Sequence, residues 1–119
     1  MKRASKNILS KERRTEPRRT QLRNYRVEIR LIAQPIYQFR VTDVSPEGAG
    51  LLVKEDSAFL SLVEIGQIVD SDFLSPKGTY PSGMYKAEIK HISEPVKGRN
   101  QGHRIVGISI LDKIDQTDQ

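Results

Sequence analysis

Residues 25–42, YRVEIRLIAQPIYQFRVT, contain the clearest indication of the fold class. Large apolar side chains occupy every second position before and after a short interruption at 33–35, and most positions between them are polar. This period of two is typical of strands with one face in a core and the other in water. The stretch therefore predicts a β-hairpin.

The short loop at 33–35 sets the predicted pairing within this hairpin. It places apolar residues opposite one another on one face, and Glu28 opposite Arg40 on the other, where the two charges attract. The same register places Tyr25 across from Asp43. The chain that precedes Tyr25 would then join the domain beside the turn that comes after the second strand.

Four more segments have strand character and are separated by stretches rich in Pro, Gly and Ser. They occupy residues 49–54, 67–74, 84–92 and 103–111. Six short strands with almost no helix predict an all-β domain, a small six-stranded antiparallel β-barrel, because closure removes exposed strand edges. We expect a flexible tail at 1–11, the barrel domain with its basic arm at 12–111, and a tail at 112–119 with at most a short C-terminal helix.

Composition narrows the function classes. The chain has 119 residues, of which 36% are hydrophobic, enough for one small core. It contains no cysteine, which excludes disulfides, thiolate metal sites and cysteine nucleophiles. No apolar run approaches the roughly 18 residues of a membrane span, and no apolar secretory signal opens the sequence. These features lead us to expect a cytoplasmic location.

Positive charge is concentrated at the N-terminus. Residues 1–30 contain 11 Lys or Arg and 3 Asp or Glu, a net charge of +8, so the rest of the chain contributes −3 to the total of +5. A basic arm attracts an anionic partner such as nucleic acid, a membrane surface or a phosphorylated small molecule. The alternative is a solvated tail without a partner.

Catalytic and metal-binding patterns are lacking. The two histidines, His91 and His103, have no ligand spacing, and the sequence has neither a GxSxG nor a GxxxxGK[ST] motif. His91 shares the apolar parity of its strand, which predicts that it packs in the core or at its rim, whereas His103 is expected at the surface. We therefore predict that the protein is not an enzyme and has no metal site.

The basic arm contains the first candidate binding segment. It is an RxxxR pattern formed by Arg14 and Arg18, with Arg13 directly before it. A guanidinium can bond guanine O6 and N7 as a fork, clamp a phosphate, or stack on a purine. Arg18 lies seven positions before Tyr25, an extended reach of roughly 23–25 Å. These arginines can therefore reach the turn at 43–48.

That turn, DVSPEG, is the second candidate segment. By itself it is most simply a turn, because Asp and Ser side chains bond nearby backbone groups and Gly48 tolerates a positive φ. Asp43 could also accept hydrogen bonds from guanine N1–H and N2–H. Gly48 would leave room for a base to approach the backbone.

With both motifs in this order, the sequence resembles the PilZ domain family of bacterial receptors for cyclic di-GMP. The family signature is RxxxR and then [D/N]xSxxG, and here 25 positions separate Arg18 from Asp43. The resemblance covers about residues 12–111, including the strand after the signature and the final IVGISIL strand. It implies a six-stranded antiparallel barrel.

The resemblance also implies a binding site and a mode of action. Arg14 and Arg18 would contact guanine and phosphate, while Asp43, Ser45 and Gly48 would form the barrel side of the site. The arginine before the motif, Arg13, implies two cyclic di-GMP molecules per domain. No cofactor is implied. Ligand binding would order the arm on the barrel, signal to a downstream protein, and regulate an output such as motility or exopolysaccharide secretion.

Two other functions are compatible with the sequence. One is a basic-armed barrel that binds nucleic acid, although the acidic body and the lack of an aromatic stacking platform argue against it. The other is a PilZ-like module that acts only through protein contacts. Guanine-selective binding would distinguish the receptor from both.

Overall fold

The computed structural model describes residues 24–114, and in this part of the chain six antiparallel strands close into a barrel. The strands are β1 (Arg26–Arg30), β2 (Tyr37–Ser45), β3 (Gly48–Lys54), β4 (Ile68–Leu74), β5 (Gly83–Ile92) and β6 (His103–Lys113). A four-residue helix, α1 (Phe59–Leu62), and a 3-10 turn at Gly98–Asn100 lie in the connections. The predicted fold class is confirmed.

Closure depends on two pairings between strands that are distant in sequence. Around the barrel the order is β1-β2-β3-β6-β5-β4, so β3 pairs with β6 and β1 pairs with both β2 and β4. Every strand therefore has two neighbours, and no strand edge remains exposed in the sheet.

Alternating side chains fill the interior of the barrel. Val27 and Ile29 of β1 are fully buried, as the period of two predicts. Phe59 of α1 is also fully buried and packs edge-on against Phe39, with ring centroids 4.7 Å apart. Helix α1 thus covers the end of the barrel at which β2 begins. At the opposite end the buried Tyr25 donates its hydroxyl hydrogen to the Pro81 carbonyl oxygen.

The predicted hairpin register was wrong by two residues. The β1–β2 loop spans the six residues 31–36, longer than predicted, and Glu28 pairs with Gln38, whose Nε2 donates to Glu28 Oε2 at 3.1 Å. Arg40 instead faces Arg26. A shift of two residues leaves every side chain on the same face of the strand, so the alternating pattern could not distinguish the two registers.

The same shift changes the pairing at the other end of the hairpin. The Val41 N–H donates to the Tyr25 carbonyl oxygen at 3.1 Å, so Tyr25 lies across from Val41 and not from Asp43. A β-bulge between Val41 and Asp43 then alters the course of β2. Strand β2 nevertheless continues through Ser45, so the turn consists of residues 46–47 and is shorter than predicted.

The remaining strand predictions are close to the observed bounds, and β6 extends to Lys113. One orientation was wrong. A second bulge, between Ile89 and His91, breaks the alternation in β5 and leaves His91 exposed instead of packed with the apolar side chains. A bulge adds one residue to a strand and reverses the faces of the residues after it, and no residue type in this segment indicates where the bulge lies.

Candidate functional site

The turn between β2 and β3 brings together the three barrel residues of the predicted site. Ser45 pairs with Gly48 as the last pair of the β2–β3 ladder, and Asp43 pairs with Gly50. Odd and even positions change face at the bulge, so Asp43 is half-buried while Val44 is fully buried. The bulge therefore allows the Asp43 carboxylate to lie on the outer surface of the barrel.

Ser45 stabilises the turn. Its side chain is buried, and its Oγ donates to Glu47 Oε1 at 3.2 Å and accepts from the Glu47 N–H at 3.3 Å. The Ile110 N–H donates to the Glu47 carbonyl oxygen at 2.8 Å, which ties the turn to β6. The prediction that the serine bonds nearby backbone is confirmed. The turn is consequently held from both sides, a suitable base for a binding surface.

Two residues that the sequence reasoning missed position the Asp43 carboxylate. The Thr42 hydroxyl donates to Asp43 Oδ1 at 2.9 Å and lies 3.2 Å from the Gly50 carbonyl oxygen. A Cβ at position 50 would overlap Asp43 Oδ1 and would lie only 2.7 Å from Thr42 Oγ1. Gly50 therefore provides the space in which the carboxylate lies. The GAG triplet at 48–50 was the available signal.

Gly48 permits a close approach of two strands. A Cβ at this position would overlap the Ile108 carbonyl oxygen of β6 and would lie 3.3 Å from Ser109 Cα. The space beside Gly48 is thus filled by the neighbouring backbone. This differs from the expectation that Gly48 leaves room for a base, and it makes glycine at this position a requirement of the β3–β6 packing.

An exposed tyrosine lies near the turn. Tyr80 packs edge-on against Tyr85, with ring centroids 6.1 Å apart, and 54% of its surface is exposed. Partial burial raises the pKa of Tyr80 above its ordinary value of 10.0, and the neighbouring Tyr85 and the Glu47 carboxylate raise the same pKa further. The Tyr80 phenol is therefore neutral at physiological pH and can donate a hydrogen bond at this end of the barrel.

The arm residues of the predicted site, Arg13, Arg14 and Arg18, lie outside the described residues. The chain enters the described region at Asn24 and Tyr25, and Tyr25 is hydrogen-bonded to Val41, which directly precedes the bulge. The described part of the chain therefore begins opposite Val41, two positions before Asp43 on β2.

The described region contains neither a metal-binding cluster nor a membrane-spanning helix. No group of three or more His, Cys, Asp or Glu side chains in residues 24–114 is arranged to hold a metal ion. None of the helices in this region has the length and apolar character needed to cross a membrane.

Solved structures of several PilZ-domain proteins have a similar fold. K. pneumonia MrkH in complex with c-di-GMP superimposes with a TM-score of 0.61 at 16% identity, covering 84% of this chain and 45% of that chain. The PilZ domain of Escherichia coli YcgR with c-di-GMP gives a TM-score of 0.57 at 17% identity, covering 84% of this chain and 79% of that chain. Borreliella burgdorferi PlzA in complex with c-di-GMP gives a TM-score of 0.57 at 15% identity, covering 88% of this chain and 47% of that chain.

These similarities define the fold as that of a PilZ domain, and the expected structural resemblance is confirmed. This chain spans less than half the length of the MrkH and PlzA chains. No family model and no curated protein sequence matches it.

Proposed function

We propose that this protein is a non-enzymatic receptor for cyclic di-GMP. The observation that carries the proposal is the position of Asp43, Ser45 and Gly48 on the two strand ends that flank one tight turn of a PilZ-type barrel, near the point where the basic arm enters it. Three structures with the same fold contain c-di-GMP. Fold alone does not define function, so the proposal depends on the residues of this turn.

On the barrel side, Asp43 is the group suited to recognise guanine. Its carboxylate accepts hydrogen bonds from guanine N1–H and N2–H, whereas adenine offers no such pair of donors at the same edge. The Thr42 hydroxyl already orients Asp43 Oδ1, which reduces the entropy lost when a base binds. The buried Ser45 acts mainly by holding the turn.

On the arm side, Arg14 and Arg18 supply the charge that the ligand requires. Arg18 lies six positions before Asn24, and a chain of this length reaches about 20 Å, enough to bring either guanidinium over Asp43. Each arginine can hold a phosphate or the Hoogsteen edge of guanine as a fork. Arg13 adds a third cation, which favours two cyclic di-GMP molecules per domain.

Binding would gather the arm onto the outer surface of the barrel and create a composite surface of protein and ligand. A downstream protein that recognises only this surface would read the concentration of the messenger. We propose that this happens in the cytoplasm, with an output such as motility or exopolysaccharide secretion.

Isothermal titration of the full chain with cyclic di-GMP tests the proposal, with cyclic di-AMP as the control ligand. We expect saturable, guanine-selective binding with a stoichiometry near two. Arg14→Ala and Arg18→Ala should each weaken binding by about tenfold or more, because each removes a charge-assisted contact. Asp43→Ala should reduce the preference for cyclic di-GMP over cyclic di-AMP.

Lys90→Ala is the matched control, since it removes one cation that pairs with Glu88 at 3.7 Å on another side of the barrel. Its affinity should remain that of the wild type. An absence of binding, or equal losses in Lys90→Ala and the arm variants, would contradict the proposal.

A further inference from the structure

The described salt bridges lie on one side of the barrel, formed by β1, β4 and β5. Lys86 pairs with Asp70 at 2.7 Å, and Lys90 pairs with Glu88 at 3.7 Å. Glu28 and Asp72 face each other across β1 and β4, a repulsive pair of carboxylates, and Arg30 bridges them at 3.6 and 3.7 Å. On this side the chain supplies its own counterion to a like-charged pair.

The β1–β2 ladder contains a pair of opposed positive charges, and no counterion among the described residues bridges it. Arg26 and Arg40 are direct cross-strand partners on the outer face. Among residues 24–114, neither guanidinium has a carboxylate within salt-bridge distance. Like charges directly opposite one another in a sheet are destabilising. A local conflict of this kind is expected where a binding site, and not stability, determines the residues.

A cavity next to Arg40 adds further cations. Its volume is about 570 Å³, within the range of small-molecule sites. Lys54 and Arg99 line it from β3 and the 3-10 turn, and Asp56 is the one carboxylate among the lining residues. An apolar wall of the cavity is provided by two aromatic rings and a leucine, which belong to Tyr37, Phe39 and Leu52.

We propose that Arg26, Arg40 and this cavity form a phosphate-binding site for a nucleotide-sized ligand. The phosphate would lie between the two opposed guanidiniums, which bind phosphate as planar forks, and would remove their repulsion. The flat, apolar part of the ligand would enter the cavity, where Lys54 and Arg99 could hold a second anionic group. An excess of cations over carboxylates against a partly apolar wall suits this chemistry better than it suits an uncharged ligand.

This site goes beyond the proposed receptor function, because none of its residues belongs to either signature motif. It is nevertheless close to the turn. Arg40 pairs with Leu52 on β3, and Asp43 pairs with Gly50 two residues earlier on that strand. The phosphate could therefore come from a separate nucleotide, or from a cyclic di-GMP molecule that extends from Asp43 along β2.

Arg40→Glu is the decisive variant. It reverses one charge of the repulsive pair, so the melting temperature should stay equal to or rise above that of the wild type, while phosphate binding is lost. If Arg40 were purely structural, the variant would have a lower melting temperature and unchanged phosphate binding. Lys90→Glu makes the same change of charge on another side of the barrel and serves as the control.

Each variant is titrated separately with GMP and with cyclic di-GMP. We expect Arg40→Glu to weaken at least one ligand by about tenfold or more, while Lys90→Glu stays within about twofold of the wild type. If Arg40→Glu loses GMP binding while Asp43→Ala retains it, the nucleotide site is separate from the receptor site. Loss confined to cyclic di-GMP would indicate that the receptor site extends to Arg40.

The proposal is overturned if Arg40→Glu and Lys90→Glu give equal affinities for both ligands, or if Arg40→Glu loses binding only because it unfolds. A wild-type chain that binds GMP at Arg40 but not cyclic di-GMP would contradict the receptor function and leave this site standing.

Discussion

Replacement of Gly48 by alanine tests whether this signature glycine serves the barrel itself. The added methyl group would overlap the Ile108 carbonyl oxygen and would lie 3.3 Å from Ser109 Cα, so its obstacles are backbone atoms of β6. A flexible side chain could rotate away, but a strand in a closed barrel cannot move without disturbing its neighbours. The substitution should therefore separate the ends of β3 and β6.

The magnitude is the difference between two effects. Overpacking of this kind costs about 1–3 kcal/mol, and the upper part of the range applies because backbone must move. Replacing glycine also lowers the conformational entropy of the unfolded chain, which stabilises the folded state by about 0.4–1 kcal/mol. The net loss in free energy of unfolding is then about 2 kcal/mol, which lowers the melting temperature by about 8–15 °C for a domain of this size.

Urea denaturation monitored by circular dichroism gives this free energy directly. Gly107→Ala is the matched control, because a Cβ at that position would meet only His91 Cβ at 3.6 Å and the His91 carbonyl oxygen at 4.0 Å. It should cost no stability, and restriction of the unfolded chain should raise the free energy of unfolding by about 0.4–1 kcal/mol. Equal stabilities of the two variants would show that the β3–β6 packing does not require glycine, and Gly48 would then have to be explained by ligand contact alone.

Three further substitutions test other parts of the structure. Gly50→Ala should displace the Asp43 carboxylate and weaken cyclic di-GMP binding by about tenfold, measured by isothermal titration; unchanged affinity would mean that this carboxylate does not contact the ligand. Phe59→Ala should cost about 3–5 kcal/mol in urea denaturation because its ring is fully buried at the end of the barrel, and a loss under about 1 kcal/mol would contradict that packing role. Asp70→Asn should change the unfolding free energy by less than about 1 kcal/mol, since its pair with Lys86 is exposed; a larger loss would show that the pair is stronger than its exposure implies.

In the β1–β2 hairpin, the alternation of apolar and polar residues predicted which face each side chain occupies but not which residues pair. A period of two assigns each side chain to a face, and the buried positions Val27 and Ile29 agree with it. The pairing of Glu28 with Arg40 was wrong because the loop is longer than the three residues assumed, and both registers place the same residues inside. Charge complementarity favoured the wrong register, since the actual one opposes Arg26 and Arg40.

The binding roles of the named site residues stay predictions, whereas the arrangement in space of those on the barrel is given by the structure. Asp43, Ser45 and Gly48 were named from the sequence, and they lie on the paired ends of β2 and β3 beside the same turn. The bulge before Asp43 and the space above Gly50 could not be read from the sequence, because both depend on how β2 and β3 meet. The roles of the arm residues remain predictions, since they lie outside the described part of the chain.

Local periodicity and composition are sufficient to predict the all-β class, the six strands, the inward face of most of them and the uneven distribution of charge. The register of the first hairpin, the register shifts in the β2–β3 and β5–β6 ladders and the joining of β1 to β4 could be obtained only from the folded barrel. These features depend on contacts between distant residues. Barrel closure selects one set of pairings from several that leave the same side chains buried.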